Sequence, residues 1–513
     1  MKCLFLDLGY DFEELDEPLG ISVLASYTQS IFDAVHVEEF CANYETISYC
    51  ELLSKNNPDI VAISTHVNTW ERLNILYRAI DSWRKNSAKE ILILIGGILG
   101  TYEYEHLLHT YPDVICMIGE GEQALYSIID STLEESSIAQ IKGILINKKC
   151  PNVVFEDSNK DLYIGKRCVQ NDLSTWNHPV THKYLSTTIA QNGIVRMEAS
   201  RGCPWNKCSF CVLKWKYAGC GWRPYSIEKV ISELTYLSQK GAKTIFFTDE
   251  EFIGSDYDHL TNLIDTIISL KGEYKINPKI EFVASTSVQA LSGRYGISQD
   301  KVFALIIKMK KAGFRSFFLG IESGSDSQLA RFCKGITVSE TEKVLYLLKK
   351  YEIETDVGYI LFDPLMNIIE LKESLEFLER TGLHKDISRF AKRLRVVPHT
   401  TYCDNYKVNK QGYNKESVEY YYTFNDLRIQ SLYDKYIEWE KEHLSYTHKI
   451  QGDIRASLNN EKRLQEIQEL KHYRFKEYYA LKYLVECALQ EQDLTSISVK
   501  EINRYCNRIL RSL

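Results

Sequence analysis

The sequence contains no apolar run approaching the ~18 residues that a membrane-crossing helix needs, so it offers no transmembrane span. It also lacks a surplus of positive charge. With 62 lysines and arginines against 69 acids, the formal net charge is -7, which excludes general electrostatic wrapping of nucleic acid while leaving a local RNA-binding patch open. No internal repeat or low-complexity tract appears. The opening residues, Met1-Lys2-Cys3-Leu4-Phe5-Leu6-Asp7, reach an acid too early for a secretory leader, and a cytoplasmic chain is the expectation. In that compartment the fourteen cysteines read as reduced thiols, and most of them, such as Cys116 in its apolar run, as small buried hydrophobes.

What is present is a globular composition, 44% apolar and 26% charged over 513 residues, enough for two or three domains. Up to residue 150, short apolar runs alternate with helix-length amphipathic stretches. Lys2 to Leu8, Ile60 to Ser64, Glu90 to Ile95, Val114 to Ile118 and Gly143 to Ile146 each predict a strand buried on both faces, hence a doubly wound parallel sheet. Ligands of such sheets sit beyond the carboxyl ends of the strands. Two loops qualify there: Ser64-Thr65-His66, and Gly96-Gly97-Ile98-Leu99-Gly100-Thr101, whose paired glycines permit close approach of a bulky ligand or simply make a strand-to-helix turn. From about Cys150 to Ser186 the rhythm is lost, which predicts a connecting segment.

A second alternating series starts near Gly193. Its predicted strands are Ile194 to Glu198, Thr244 to Thr248, Ile280 to Ser285, Ser316 to Ile321, Asp356 to Leu361 and Leu394 to Val397, with helices between them such as Ser226 to Ser238, opened by Ser226 as a cap, and Val338 to Tyr351. Six such units are too few for a full eight-stranded barrel and predict a partial one. Beyond Thr401 the chain is tyrosine-rich and helical, with a long helix expected from Glu461 to Gln490.

The segment Arg201-Gly202-Cys203-Pro204-Trp205-Asn206-Lys207-Cys208-Ser209-Phe210-Cys211 carries three cysteines at spacing C-x4-C-x2-C, just past the first strand of the second series. Three thiolates on one loop suit three irons of a four-iron cluster and leave the fourth iron open. The competing reading is structural zinc, with Cys220 supplying a fourth thiolate.

These residues resemble the radical S-adenosylmethionine enzymes, in the branch with an N-terminal cobalamin-binding domain. The resemblance extends over roughly residues 1 to 400. It rests also on Trp222-Arg223-Pro224-Tyr225-Ser226, Phe247-Thr248-Asp249-Glu250-Glu251-Phe252, Gly320-Ile321-Glu322-Ser323-Gly324-Ser325-Asp326, Lys334-Gly335 and Gly358-Tyr359-Ile360-Leu361-Phe362-Asp363-Pro364, and in the N-terminal part on Pro18-Leu19-Gly20, Gly96-Gly97 and Gly119-Glu120-Gly121-Glu122. Together with the sequence pattern it implies an α/β protein in four parts: a doubly wound, Rossmann-like cobalamin-binding domain over 1–150, a connecting segment over 151–190, a partial (β/α)6 TIM-type barrel over 191–400 and, from the pattern alone, a helical C-terminal region over 401–513.

The resemblance further implies a [4Fe-4S] cluster on Cys203, Cys208 and Cys211, with S-adenosylmethionine chelating the open iron and yielding a 5′-deoxyadenosyl radical on reduction. Phe210 is then placed against the adenine, or merely packs in its loop. Asp249, Glu250 or Glu251 accepts from the ammonium group, and Glu322 and Ser323 suit the ribose or amino group, with a helix cap as the plainer role for Ser323. Arg223 either pairs with the carboxylate or lies on the surface. Ser64, Gly96, Gly97 and Thr101 are the expected cobalamin contacts. The implied reaction is methylation of an unactivated carbon in a small molecule or natural product, with cyclisation, ring contraction or rearrangement as the alternative, fed by an electron donor such as flavodoxin or ferredoxin. A zinc-stabilised ligand-binding module is the alternative of another class. Two departures stand out: the commonest family spacing is C-x3-C-x2-C, and no D-x-H-x-x-G run supplies a lower cobalt ligand.

Overall fold

Runs such as Ile60-Val61-Ala62-Ile63 and Leu92-Ile93-Leu94-Ile95 have no polar face to turn to water, so strands built from them must be covered on both sides. The computed structural model shows this arrangement. It describes residues 1–9, 15–135, 137–176, 178–385, 390–442 and 460–511, which group into two units interleaved along the chain. The first holds Met1–Asn206, Val212–Val283 and Asn414–Glu419, and the second Lys207–Cys211, Ala284–Tyr413 and Tyr420–Leu513.

In the first unit the strands Lys2–Asp7 (β1), His36–Cys41 (β2), Ile60–Thr65 (β3), Leu92–Gly96 (β4), Ile115–Met117 (β5), Val153–Glu156 (β6) and Leu162–Ile164 (β7) form one sheet in the order β2-β1-β3-β4-β5-β6-β7. Pairing is parallel from β2 through β5 and antiparallel from β5 to β7. The register sets Asp7 beside Ser64 and Ser64 beside Gly96, so these three residues finish together at the carboxyl edge. Leu73, Leu76, Ile80 and Trp83 make the buried stripe of the helix Trp70–Ser87. Phe5, Ile60, Leu94, Leu125, Ile128 and Phe155 share one core cluster; each such side chain contributes about 1.5–3 kcal/mol on burial.

Four of the five strands expected here are present, and the fifth is not. Gly143 to Ile146 lies inside the helix Ile138–Asn147, whose buried residues Ile141 and Leu145 stand four apart. A short apolar run satisfies both periods, and spacing from its neighbours decides between them. The strand β2 has no apolar signature in the sequence, because its charged pair Glu38-Glu39 masks the pattern. The segment after Cys150 is also more ordered than its composition predicts, since β6 and β7 fold back to extend the sheet.

The second series gives Val195–Met197 (β8), Ser200–Arg201 (β9), Arg223–Pro224 (β10), Thr244–Phe247 (β11), Glu281–Ser287 (β12), Phe314–Glu322 (β13) and Glu354–Tyr359 (β14). Within the first unit β8 and β11 pair in parallel and β9 and β10 antiparallel; within the second, β13 and β14 pair in parallel. The expected sixth strand at Leu394 to Val397 is reduced to single bridges, Phe362 with Arg393 and Val396 with Tyr420; Pro398 follows and removes a ladder donor. Ser226 caps the helix Ile227–Gln239 by accepting from the Lys229 N–H. Capping boxes at Thr337 and Glu340, and at Asn367 and Glu370, start the helices Val338–Lys350 and Ile368–Thr381. The long helix Asn460–Leu489 in the C-terminal region buries Tyr478, Leu481 and Leu484. Among the described residues no helix is long and apolar enough to cross a membrane.

Candidate active site

The loop after β8 is held by its backbone at both ends. In the first unit Gly202 has φ +85°, and a Cβ there would stand 2.3 Å from the Gly221 carbonyl, so only glycine fits. Its N–H donates to Glu250 Oε2 at 2.9 Å, and the Asn206 amide donates to the carbonyls of Gly219 and Cys220, each at 3.2 Å. In the second unit the Ser209 N–H donates to the Phe332 carbonyl at 2.8 Å and its carbonyl accepts from the Tyr402 N–H at 2.7 Å. Ser209 Oγ donates to the Arg331 carbonyl at 2.9 Å, and Phe210 meets Phe332 edge-on with ring centroids 5.3 Å apart.

Cys203, Cys208 and Cys211 are half-buried on this loop, whereas Cys3, Cys41, Cys116, Cys150 and Cys506 are buried. Burial pushes the thiols of Cys3, Cys41 and Cys506 up to about 12, which keeps them protonated and unsuited to ligation. Among the described residues no three His, Cys, Asp or Glu side chains gather around one point as the ligands of a single ion do. Cys220, the fourth thiolate of the zinc reading, directs its sulfur to Asn171 Oδ1 at 3.8 Å.

The acidic run after β11 is turned inward. Asp249 is only 2% exposed and accepts from the Ala199 N–H at 3.1 Å and from the Ser200 hydroxyl. Burial pushes its carboxyl up to about 7 despite these donors. For Glu250 burial acts in the same sense, but Lys216, the Tyr217 hydroxyl and the Gly202 N–H outweigh it and hold the carboxyl below its usual range. Glu251 is buried and accepts from the Ile253 N–H at 3.2 Å. None of the three is a solvated face. In the second unit Glu322 sits at φ +72° where β13 shifts register against β14, with Lys334 Nζ 3.1 Å from its Oε1. Ser323 is fully buried and accepts from the Ser325 N–H at 3.0 Å, so it shapes this turn.

At the carboxyl edge of the first sheet, Gly97 is exposed and Gly96 and Ser64 are half-buried, leaving a ledge of bare backbone. Gly97 has φ +77°, and a Cβ would come within 2.2 Å of the Thr65 carbonyl. Thr65 fixes the ledge by donating to the Gly96 carbonyl at 2.6 Å and accepting from the Leu99 N–H at 3.0 Å. Thr101 lies beneath, buried, and accepts from the Gly119 N–H at 3.2 Å.

Residues 197–378 match the radical SAM superfamily, and residues 9–129 match the B12 binding domain family. The chain is a radical SAM protein with an N-terminal B12-binding domain. It is 27% identical over 347 residues to the 4′-phospho-dehydrooxetanocin synthase of Priestia megaterium, an alignment spanning 64% of this chain and only 44% of that relative. It is 25% identical over 375 residues to an uncharacterized methyltransferase of Pyrococcus horikoshii, spanning 71% of this chain and 74% of the relative. Its fold matches the solved cobalamin-dependent S-adenosylmethionine radical enzyme OxsB, a structure with aqua-cobalamin and S-adenosylmethionine bound, at a TM-score of 0.83 and 19% identity over 100% of this chain and 80% of OxsB.

Two sets of contacts in this radical SAM protein do not follow from any spacing in the sequence. Asp7 and His66 meet at the edge of the B12-binding domain, with His66 Nε2 3.0 Å from both carboxylate oxygens; the signal was a polar residue at each of two neighbouring strand ends. Arg223, expected either on the surface or against a substrate carboxylate, is instead 4% exposed and bidentate to Glu120, at 2.7 and 3.1 Å. Arg201 bonds Glu122 at 2.8 Å and Glu198 at 3.0 Å. The four motif residues Glu120, Glu122, Arg201 and Arg223 stood in the sequence, but nothing in their spacing showed that they meet.

Proposed function

We propose that the protein is a cobalamin-dependent radical S-adenosylmethionine enzyme that methylates an unactivated carbon of a small molecule. The observation that carries this reading is the presence in one chain of both matched domains, with three half-buried cysteines on a loop whose backbone is already pinned. The donor set fits a cluster: cysteine thiolates are its ligands, and these three are accessible where seven others are buried. When bound, the cluster supplies single electrons and a coordination site for S-adenosylmethionine, and cobalamin supplies a methyl carrier.

Cys203, Cys208 and Cys211 would hold the cluster. Phe210, backed by Phe332, offers an apolar face to the adenine. Glu322 and Ser323, at the carboxyl end of β13, orient the ribose or amino group, with Lys334 fixing the Glu322 carboxylate. Asp249 and Glu250 serve S-adenosylmethionine through the loop, since their oxygens hold Ala199, Ser200 and Gly202 in place. Ser64, Gly96 and Gly97 would receive the corrin on the ledge, with Thr101 supporting it from below. An external one-electron donor of the flavodoxin or ferredoxin kind completes the system.

A second reading keeps both cofactors and ends in a cyclisation, ring contraction or rearrangement; the Priestia megaterium relative is named a synthase and not a methyltransferase. Reconstituted protein loaded with unmethylated cobalamin, reduced and given S-adenosylmethionine, separates the two. Methylation predicts S-adenosylhomocysteine stoichiometric with corrin, and its absence leaves the rearrangement reading.

Two substitutions test the site assignments. Cys220→Ala is expected to leave iron and sulfide at about four each per chain, whereas a colourless protein whose single bound zinc is lost in this variant would revive the four-thiolate zinc site. Gly97→Ala forces a side chain into positive φ and against the Thr65 carbonyl, strain of about 1–3 kcal/mol, so corrin retention after desalting is expected to weaken by about 5–150-fold. Unchanged retention would remove Gly97 from the corrin site.

A further inference from the structure

The buried arginine–glutamate pairs lie on a continuous chain of contacts that begins at the ledge. Thr101, the last residue of the ledge loop, accepts from the Gly119 N–H at 3.2 Å. Gly119 opens the turn Gly119-Glu120-Gly121-Glu122 after β5, and its φ of +72° leaves it so close to the Lys216 carbonyl that a Cβ would stand 2.7 Å away. From the same turn Glu120 grips Arg223 with both oxygens, at 2.7 and 3.1 Å, and Glu122 grips Arg201 at 2.8 Å. Arg201 and Arg223 are register partners across the β9–β10 pair. Like charges set opposite each other repel, so this pair is tenable only with the glutamates between them. The residue after Arg201 is Gly202, held by Glu250 at 2.9 Å, and the next is Cys203.

Stability does not explain this arrangement. Buried ion pairs are commonly matched or bettered by packed apolar residues of similar volume. What two forked arginines add is direction, because a bidentate guanidinium–carboxylate contact fixes orientation as well as distance. We infer that Thr101, Glu120, Glu122, Arg201 and Arg223 are positioning residues that hold the corrin ledge and the start of the cluster loop at one fixed separation. The inference rests on the two-cofactor reading. It adds that the separation is set by a polar lock inside the first unit. Neither arginine is asked to touch substrate, cluster or corrin.

The test is pulsed dipolar electron paramagnetic resonance between the reduced cluster and cob(II)alamin in the full-length reconstituted protein. Wild type is expected to give a single narrow distance. Glu122→Gln and Arg201→Lys are expected to retain iron and corrin yet lose the single maximum, by broadening or by acquiring a second one. Arg201→Lys, which keeps the charge and loses the fork, is expected to shift less than Arg201→Met. If Glu122→Gln does not accumulate, Arg223→Lys carries the same expectation through the Glu120 pair. A distribution identical to wild type in Arg201→Lys and Arg223→Lys, with both cofactors bound, overturns the inference and leaves the functional reading intact. Wild-type protein that takes up no cluster or no corrin overturns the functional reading, and this inference falls with it.

Discussion

Replacing Cys208 with alanine is expected to abolish cleavage of S-adenosylmethionine and to leave reconstituted protein without a stable iron–sulfur chromophore. The loop has three cysteines for the cluster, so losing one leaves too few ligands to retain it. Loss of a mere supporting partner costs metal sites about 10–100-fold in affinity or activity, and loss of a direct ligand costs more. The fold should survive, because the Ser209 backbone bonds to Phe332 and Tyr402 anchor this part of the loop and the substitution leaves them in place. The variant should therefore keep its corrin and its thermal transition while 5′-deoxyadenosine falls to the level of the enzyme-free blank. Retained 5′-deoxyadenosine formation would count decisively against the cluster assignment.

The second large effect is expected at His182, in the segment that joins β7 to β8. Its side chain is fully buried, 2.6 Å from Glu17 Oε1 through Nδ1 and 3.3 Å from Glu233 Oε1 through Nε2. The second contact has an ion pair's distance without hydrogen-bond alignment. Burial alone lowers the imidazole pKa, but the two glutamates outweigh it and raise it from 6.5 to about 9. Lys229, 3.1 Å from Glu233, faces the same group, and the Tyr236 ring stacks on the imidazole. A pKa raised on folding contributes stability that is complete below the unfolded value and fades as pH climbs through the folded one. The window is therefore between 6.5 and about 9, and the contribution below it is about 3 kcal/mol. His182→Leu leaves Glu17 and Glu233 without their shared cation, which costs about 3–5 kcal/mol. That corresponds to a transition about 5–15 °C lower in a domain of a few hundred residues. The gap from wild type should be widest at pH 6 and narrow above pH 9. A gap independent of pH would mean that His182 acts by packing alone.

The parts of this protein most legible in its sequence are those governed by local rules. Both-face apolar runs gave β1, β3, β4 and β5, and Ser226 announced its helix, because burial and capping act within a few residues. Local rules failed where two patterns coincide, as at Gly143 to Ile146, and where a polar residue interrupts a strand, as at Glu38 and Glu39. The candidate site divides the same way. The cysteines were visible because their ligand chemistry requires thiols close in sequence. The engagement of Asp249 and Glu250 by Ala199, Ser200 and Gly202 was not visible, and neither was the pairing of Glu120 and Glu122 with Arg223 and Arg201. Partners separated by tens of residues meet only through tertiary packing, and no spacing in the sequence encodes their meeting.

Electron paramagnetic resonance of the oxygen-protected, reconstituted and reduced protein, before and after addition of S-adenosylmethionine, addresses the central claim most directly. The account predicts an iron–sulfur signal whose shape changes when the cofactor is added, because one iron is open to it. A protein that shows no iron–sulfur signal after reconstitution, or one indifferent to S-adenosylmethionine, contradicts it.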